Sequence, residues 1–384
     1  MNTAPKVLLA TCGGWHLPQT AKAFENRGVL AGLWISDKNS TSVSAALYRR
    51  CWPFHLAMKP FYRFAPQILT EKIFYAFFPF WWAWVKSQSL PLCNVVQAPM
   101  GYATELFDRY KSTQVLKVVD CPNSHPASYY GYWQRECDLW CPGEKVPIPQ
   151  WMFAQMRQEL EMADLILCPS TFVRETMIEN GLPENKCLIQ PFGVDTKVFL
   201  PRQNPPKKPL FICVGTICLR KGHQYLFRAF ELVKKLLPDA ELICVGQYKT
   251  DFRCERQRWE GSFRHISHFS HADLAALLQT CTAFVFPSQE EGFARVLSEA
   301  MAAGLPILAS HQSGATTLVD DGVEGIIIRA QDPQHIADAM IRVAADPKLN
   351  QRMGEASLQK GATKNTWQDY GDRLLDAYAR KLSC

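Results

Sequence analysis

Two carboxylates, Glu291 and Glu299, stand eight residues apart in the segment EEGFARVLSEAMAAGLPI (290–307), directly after the apolar run AFVFPS. Gly292 allows a tight turn into a helix, Gly304 sits where a left-handed C-cap belongs, and Pro306 opens the next strand. The first turn of such a helix offers free N–H groups at Phe293, Ala294 and Arg295 and the positive end of a dipole, which suits a diphosphate. At 1.5 Å per residue the two carboxylates lie about 12 Å apart along the helix. The polyhydroxyl groups on either side of the diphosphate in a nucleotide-sugar have a similar separation. One carboxylate can then accept from sugar hydroxyls and the other from ribose hydroxyls. A glycosidase pair is excluded, because its carboxylates stand roughly 5–5.5 or 6.5–9.5 Å apart.

Lys221 opens a helix after the strand FICVG, with Arg220 beside it. A cation at a helix N-terminus is unfavourable by the dipole alone and makes sense if an anion sits there. Gly13 and Gly14 follow the first strand and let backbone approach a ligand closely. The GxGxxG pattern is absent, so no dinucleotide site is expected. His125 lies in VVDCPNSHPASY, just past a strand end and so on a cleft rim; Asp120 ends that strand. His16, near the glycine pair, is a candidate for meeting an acceptor.

These residues need elements to position them. Apolar strand-like runs (6–11, 30–36, 92–98, 115–120, 165–169, 187–191) alternate with helical segments (18–27, 104–110, 149–163, 170–180). This is the pattern of a parallel sheet covered on both faces. The rhythm pauses at LPRQNPPKKPL, a linker by composition, and a second series begins at Leu210. The expectation is α/β: residues 1–200, a linker at 201–209, and a second doubly wound half at 210–365. An amphipathic helix at 366–384 packs back on the first half. In such sheets ligands bind at the carboxyl ends of strands, and here in the cleft between halves.

The order and spacing of these segments resemble the family 4 retaining glycosyltransferases with the GT-B fold, the group 1 glycosyl transferases, over most of the chain. The likeness rests on the E-x7-E of Glu291 and Glu299, on FICVGTICLRKGHQYLFRAF (211–230) and on LIQPFGVD (188–195). Ser310–Gly325 and Trp367–Tyr378 also match, as a later loop and the helix that crosses back. The resemblance implies two Rossmann-like domains facing a cleft, the C-terminal one binding a UDP- or GDP-sugar and the N-terminal one the acceptor. It gives Lys221 the donor diphosphate and His125 the transferred sugar. The loop of Gly13 and Gly14 touches phosphates and sugar from the acceptor side. Gly292, Phe293, Ala294, Glu299 and Arg220 complete the donor set. The family usually carries an Arg directly after the Gly of FICVG; this chain has Thr216, so one phosphate cation is missing or Arg220 replaces it. The family implies no cofactor and no divalent metal. It also implies front-face attack in which the leaving phosphate takes the acceptor's proton, so no general base is named. The remaining alternatives are an epimerase on the same fold and a non-catalytic, membrane-associated nucleotide-sugar binding protein.

The chain has 384 residues and a net charge of +6, too mild to imply nucleic acid. Most of that charge lies in residues 49–88, where Arg49, Arg50, Lys59, Arg63, Lys72 and Lys86 face Glu71 alone. Within them IFYAFFPFWWAWV (73–85) is rich in aromatics, but it is shorter than the roughly 20 residues a membrane span needs. Aromatic surface with basic flanks suits a segment lying in a membrane interface; a buried Trp-rich helix pair is the alternative. An acceptor carried on a lipid, or polysaccharide synthesis, fits this segment. Several of the 14 cysteines sit in strand-like runs, as Cys168, Cys213 and Cys244 do, which argues against disulfides and for a reducing cytoplasm. Cys137 and Cys141 are spaced CxxxC without a second pair, so no metal site is expected.

Overall fold

The computed structural model describes residues 4–383 except 39, 65–66, 196, 203–205, 207 and 362–364; the side chains of 62–72 are also outside the description. The expectations resting on Arg63, Glu71 and Lys72, and on part of the linker, therefore lie outside the described residues.

The first sheet is wholly parallel. Its strands are β1 (Val7–Thr11), β2 (Leu30–Ile35), β3 (Tyr48–Arg50), β4 (Val95–Pro99), β5 (Leu116–Asp120), β6 (Leu165–Cys168) and β7 (Cys187–Ile189). They run in the order β3-β2-β1-β4-β5-β6-β7. The helices of this half are α1 (Leu17–Asn26), α2 (Trp52–Phe64), α3 (Gln67–Ser87), α4 (Thr104–Arg109), α5 (Pro126–Trp140), α6 (Gln150–Met162) and α7 (Thr171–Glu179). The second sheet, also parallel, has β8 (Leu210–Val214), β9 (Glu241–Val245), β10 (Arg264–Ile266), β11 (Ala283–Phe286), β12 (Ile307–Ser310) and β13 (Gly325–Ile328). Its order is β10-β9-β8-β11-β12-β13. Its helices are α8 (His223–Leu236), α9 (Arg253–Trp259), α10 (His271–Leu278), α11 (Arg295–Ala302), α12 (Pro333–Ala345) and α13 (Pro347–Gly361), followed by α14 (Trp367–Leu382).

Both sheets reverse their winding once, between β1 and β4 and between β8 and β11. A crevice opens at such a point because the following loops turn to opposite faces. The chemistry-bearing loops fall there: 12–16 after β1, 215–222 after β8, and 287–294 after β11. The central strands are apolar and buried on both faces, as β4 and β11 are along their whole length, which is what helices on both sides require.

α14 starts with a capping box at Thr366 and Asp369 and returns to α1. Its Tyr370, Leu374 and Tyr378 are fully buried in the core that contains Leu17 and Phe24. Arg27 pairs with Asp372 at the rim, and the Tyr378 hydroxyl donates to Gln97 Oε1 at 2.7 Å.

The structure bears on three expectations. The rejection of any disulfide fails: Cys141, after the end of α5, is bonded to Cys254 in α9, 113 residues away. Of the eleven described free cysteines, all but Cys93 are buried. Cys141 is thus committed to a distant partner, and Cys137 stays a buried free thiol. Second, residues 49–88 form a strand and a helical hairpin, as the buried alternative expected, with Trp81 and Trp84 turned toward the first half's core. Trp81 is fully buried and Trp84 packs against Trp34. The outer face carries Trp52, Leu56 and Phe80 at 55%, 61% and 48% exposure. Third, α5 was not anticipated as a helix at all, yet it is the element shared by the two halves. No helix among the described residues is long and apolar enough to cross a membrane.

Candidate active site

Four charged side chains converge between the loop after β8 and the loop after β11. Arg220 donates to the Glu290 carboxylate at 2.8 Å and also to the Glu290 carbonyl. Its guanidinium stands 3.5 Å from Glu291, whose carboxylate contacts the Lys221 ammonium directly. Burial, and then the neighbouring Arg220 charge, push the Lys221 pKa down from 10.5 to about 7, against the pull of the Glu290 carboxylate. Arg220 also lies over the rings of Tyr129 and Trp133 on α5, at 5.7 and 5.5 Å. Its Nε is buried with no hydrogen-bond partner among the described residues. A buried, unpaired donor beside a second cation is chemistry suited to an anion.

Backbone geometry explains the glycines here. Gly222 caps α8 at φ +76°, and a Cβ on it would come within 2.0 Å of the Pro287 carbonyl oxygen. The Lys–Gly pair is therefore what lets the loop after β8 lie against the loop after β11. That second loop is fixed by Gln289 N donating to Arg220 O at 2.8 Å and by Glu291 N donating to Gln312 O at 2.9 Å. Ser288 Oγ donates to the Glu290 carbonyl.

The same loop closes on the first half. Ser124 donates to Glu290 through both N and Oγ, each at 3.0 Å. A Cβ on Gly292 would come within 1.9 Å of the Pro122 carbonyl oxygen. Ser170 Oγ donates to the Gly292 carbonyl at 2.7 Å. Phe293 inserts into the first half's core, 5.8 Å from Phe192. His125, adjacent to Ser124, N-caps α5, with Nδ1 accepting from Ala127 N. Burial, with Arg157 adding to it, pushes its pKa to about 4. The ring is neutral at pH 7 and carries its proton on Nε2, a donor suited to a hydroxyl oxygen.

α11 begins two residues later than the spacing suggested: Ala294 is the N-cap and Arg295 the first helical residue. Gly304 has φ +72° just past the end, as a left-handed C-cap requires. Glu299 stands in the second turn of α11, and burial raises its pKa. Thr216 sits half-buried in the loop after β8. Gly13, at φ +117°, and Gly14 turn the chain after β1. His16 is buried: Nε2 meets Asp120 at 2.6 Å and the ring lies 4.2 Å from Phe192. It anchors the glycine loop and does not face the cleft.

The structure thus brings Arg220, Lys221, Glu291 and Gly292 together and sets His125 alongside through Ser124. Glu299 and the Gly13–Gly14 loop form no hydrogen bond or ion pair with this cluster among the described residues. Sequence reasoning missed Glu290, which lies directly before the motif acid and has no signature of its own. It also missed Tyr129 and Trp133, whose helix carried no recognised pattern.

Residues 196–360 match the family model of glycosyl transferases group 1. A D-inositol 3-phosphate glycosyltransferase of Thermobifida fusca is 36% identical over 216 residues, which cover 50% of this chain and 49% of that protein. A GDP-mannose-dependent phosphatidylinositol monomannoside mannosyltransferase of Corynebacterium glutamicum is 25% identical over 207 residues, 48% of this chain and 54% of that one. The chain thus spans about half the length of these relatives. Among solved structures, sucrose-phosphate synthase from Thermosynechococcus elongatus superposes with a TM-score of 0.72 at 18% identity, covering 99% of this chain and 100% of that one. HepE of Anabaena in complex with UDP-glucose gives 0.67 at 14% identity, with 97% and 99% covered. With both parallel sheets in place, the chain has the GT-B fold, and its residues 196–360 are similar to the group 1 glycosyl transferases.

Proposed function

We propose that this protein is a retaining, metal-independent glycosyltransferase that moves a sugar from a UDP- or GDP-sugar to a hydroxyl acceptor. The observation that carries the reading is the buried Arg220–Lys221 pair, held against Glu290 and Glu291 where the loops after β8 and β11 meet. A diphosphate entering there takes Lys221 as its counter-ion and releases the Glu291 carboxylate to accept from hydroxyls of the transferred sugar. Arg220, already fixed by Glu290, adds charge from the side. Glu299 accepts from the ribose hydroxyls. The acceptor oxygen then bonds to the anomeric carbon as the bond to the diphosphate breaks, and its proton passes to the departing phosphate oxygen. Lys221 and Arg220 stabilise the charge that grows on the leaving group. His125, neutral and donating from Nε2, orients the transferred sugar, and the loop of Gly13 and Gly14 bounds the site from the acceptor side.

The acceptor is read as a sugar or a lipid-linked molecule, as in polysaccharide or glycolipid synthesis, with the protein working at the inner face of a membrane. The exposed apolar face of α2 and α3, next to Arg49, Arg50, Lys59 and Lys86, supports this.

Calorimetric titration with UDP-, GDP- and ADP-sugars, with and without EDTA, tests the donor assignment. Saturable binding of one nucleotide class that is insensitive to EDTA is expected. Glu299→Ala should weaken it by roughly 1.5–3 kcal/mol, the scale for a hydrogen bond to a charged group. Absence of binding across the panel overturns the proposal. Binding and donor turnover without any acceptor would favour an epimerase instead.

A further inference from the structure

The donor site leaves Trp15 unexplained. Among the described residues only Trp15 and Ser42 combine a side chain with positive φ, and Trp15 is at +44°. Bulky residues avoid that region, and where they occupy it the surrounding structure holds them there. The indole is 47% exposed, whereas Trp34, Trp81 and Trp259 are fully buried. Strained backbone and exposed aromatic surface together oppose stability, so packing does not account for the residue.

Its setting is built. A Cβ on Gly13 would come within 2.9 Å of Trp15 Nε1, so the glycine clears the space over which the indole lies. The next residue, His16, is held by Asp120, which accepts from Gln97, which in turn accepts from the Tyr378 hydroxyl. A buried chain of hydrogen bonds reaching to α14 thus fixes the loop that presents the indole. Tyr102, in the loop after β4, stands opposite with its ring 6.2 Å away at 68°. The two rings flank the point where the first sheet reverses its winding, at the carboxyl ends of β1 and β4.

We propose that Trp15, with Tyr102 as side wall, is the platform on which the acceptor's ring stacks, and that this ring is a saturated polyol, a pyranose or a cyclitol. Such a ring has one face of C–H groups that covers an exposed aromatic surface, while its hydroxyls at the rim remain free to hydrogen-bond or react. The proposal rests on the transferase reading, since it is the acceptor of that reaction that the first half would hold. Trp15 sets which ring is accepted and how it is oriented; it does no proton chemistry.

Saturation-transfer NMR on the full chain, with UDP and GDP present, tests this. The probes are methyl α-D-mannopyranoside, methyl β-D-glucopyranoside, methyl β-D-galactopyranoside and myo-inositol. At least one should receive saturation on the C–H protons of one ring face. Trp15→Ala should weaken that binding about tenfold or more, while Trp15→Phe keeps most of it. Trp15→Gly, which suits the positive φ, serves if the alanine variant is poorly folded. Nucleotide binding, measured by calorimetry, should be the same in every variant. The proposal is overturned if no probe binds the unaltered protein, if Trp15→Ala and Trp15→Gly bind as it does, or if they lose nucleotide instead. Should neither nucleotide bind the unaltered protein, the transferase reading falls, and the ring probes still decide the role of Trp15 separately.

Discussion

Lys221 meets Glu291 at the start of the candidate donor site, but burial and a neighbouring cation set the protonation behaviour of the lysine. Burial and Arg220 bring its pKa to about 7, while in the unfolded chain it returns to about 10.4. Between those values the unfolded state binds the extra proton, so stability rises with pH through this window, by up to about 1.4 kcal/mol per pH unit. Lys221→Met should remove that rise, seen as a flatter urea midpoint between pH 7 and 9.5. A diphosphate restores the charge, so nucleotide binding at pH 8 should take up a proton in the unaltered protein and none in the variant. Calorimetry in buffers of different ionisation enthalpy reads this. Equal uptake in both proteins would remove Lys221 from the diphosphate contact.

α2 and α3 bury Phe54, Met58, Phe78, Trp81 and Val85 against the first sheet and turn the opposite side outward. On α2 that side is Trp52, Leu56 and Lys59, spaced at i, i+4 and i+7; on α3 it includes Phe80 and Lys86. Arg50 stacks on Trp52 at 4.3 Å, which places a cation beside the apolar surface. This arrangement suits shallow insertion among anionic headgroups. Replacing Trp52, Leu56 and Phe80 by alanine should release the protein from phosphatidylglycerol-containing vesicles in a sedimentation assay. Replacing the buried Trp81 instead should destabilise the fold by about 3–5 kcal/mol. Vesicle binding unaffected by the triple substitution would count against the membrane face.

The two halves meet at α5 as well as at the loop after β11. Trp133 Nε1 donates to Asp251, buried Glu136 accepts from Gln224, Tyr225 and Gln331, and Glu144 pairs with Arg253. The Cys141–Cys254 bond adds a covalent tie on the same side. Denatured without reductant, the protein should present two fewer thiols than its 14 cysteines. Cys254→Ser should lower stability by about 2–4 kcal/mol and abolish the effect of reductant on the melting curve. A full thiol count in the unreduced protein would contradict the tie.

How much of this was legible in advance follows from what is local. Apolar runs, helix punctuation and the E-x7-E, Lys–Gly and Gly–Gly spacings are properties of short stretches of chain, because strand burial, capping and a phosphate-binding turn each depend on a few neighbouring residues. From them the sequence by itself determined two parallel α/β halves, the loops that carry chemistry, and the likeness to group 1 glycosyl transferases. Only the tertiary structure decided which side of α3 faces out, since its aromatics lie all round the helix and periodicity does not choose among them. It likewise joined Cys141 to Cys254 and Glu290 to Ser124, pairs more than a hundred residues apart that meet only when the halves dock. It also turned His16 inward onto Asp120 and left Trp15 exposed at positive φ. These outcomes depend on which surfaces meet in three dimensions, and no window of sequence holds both partners.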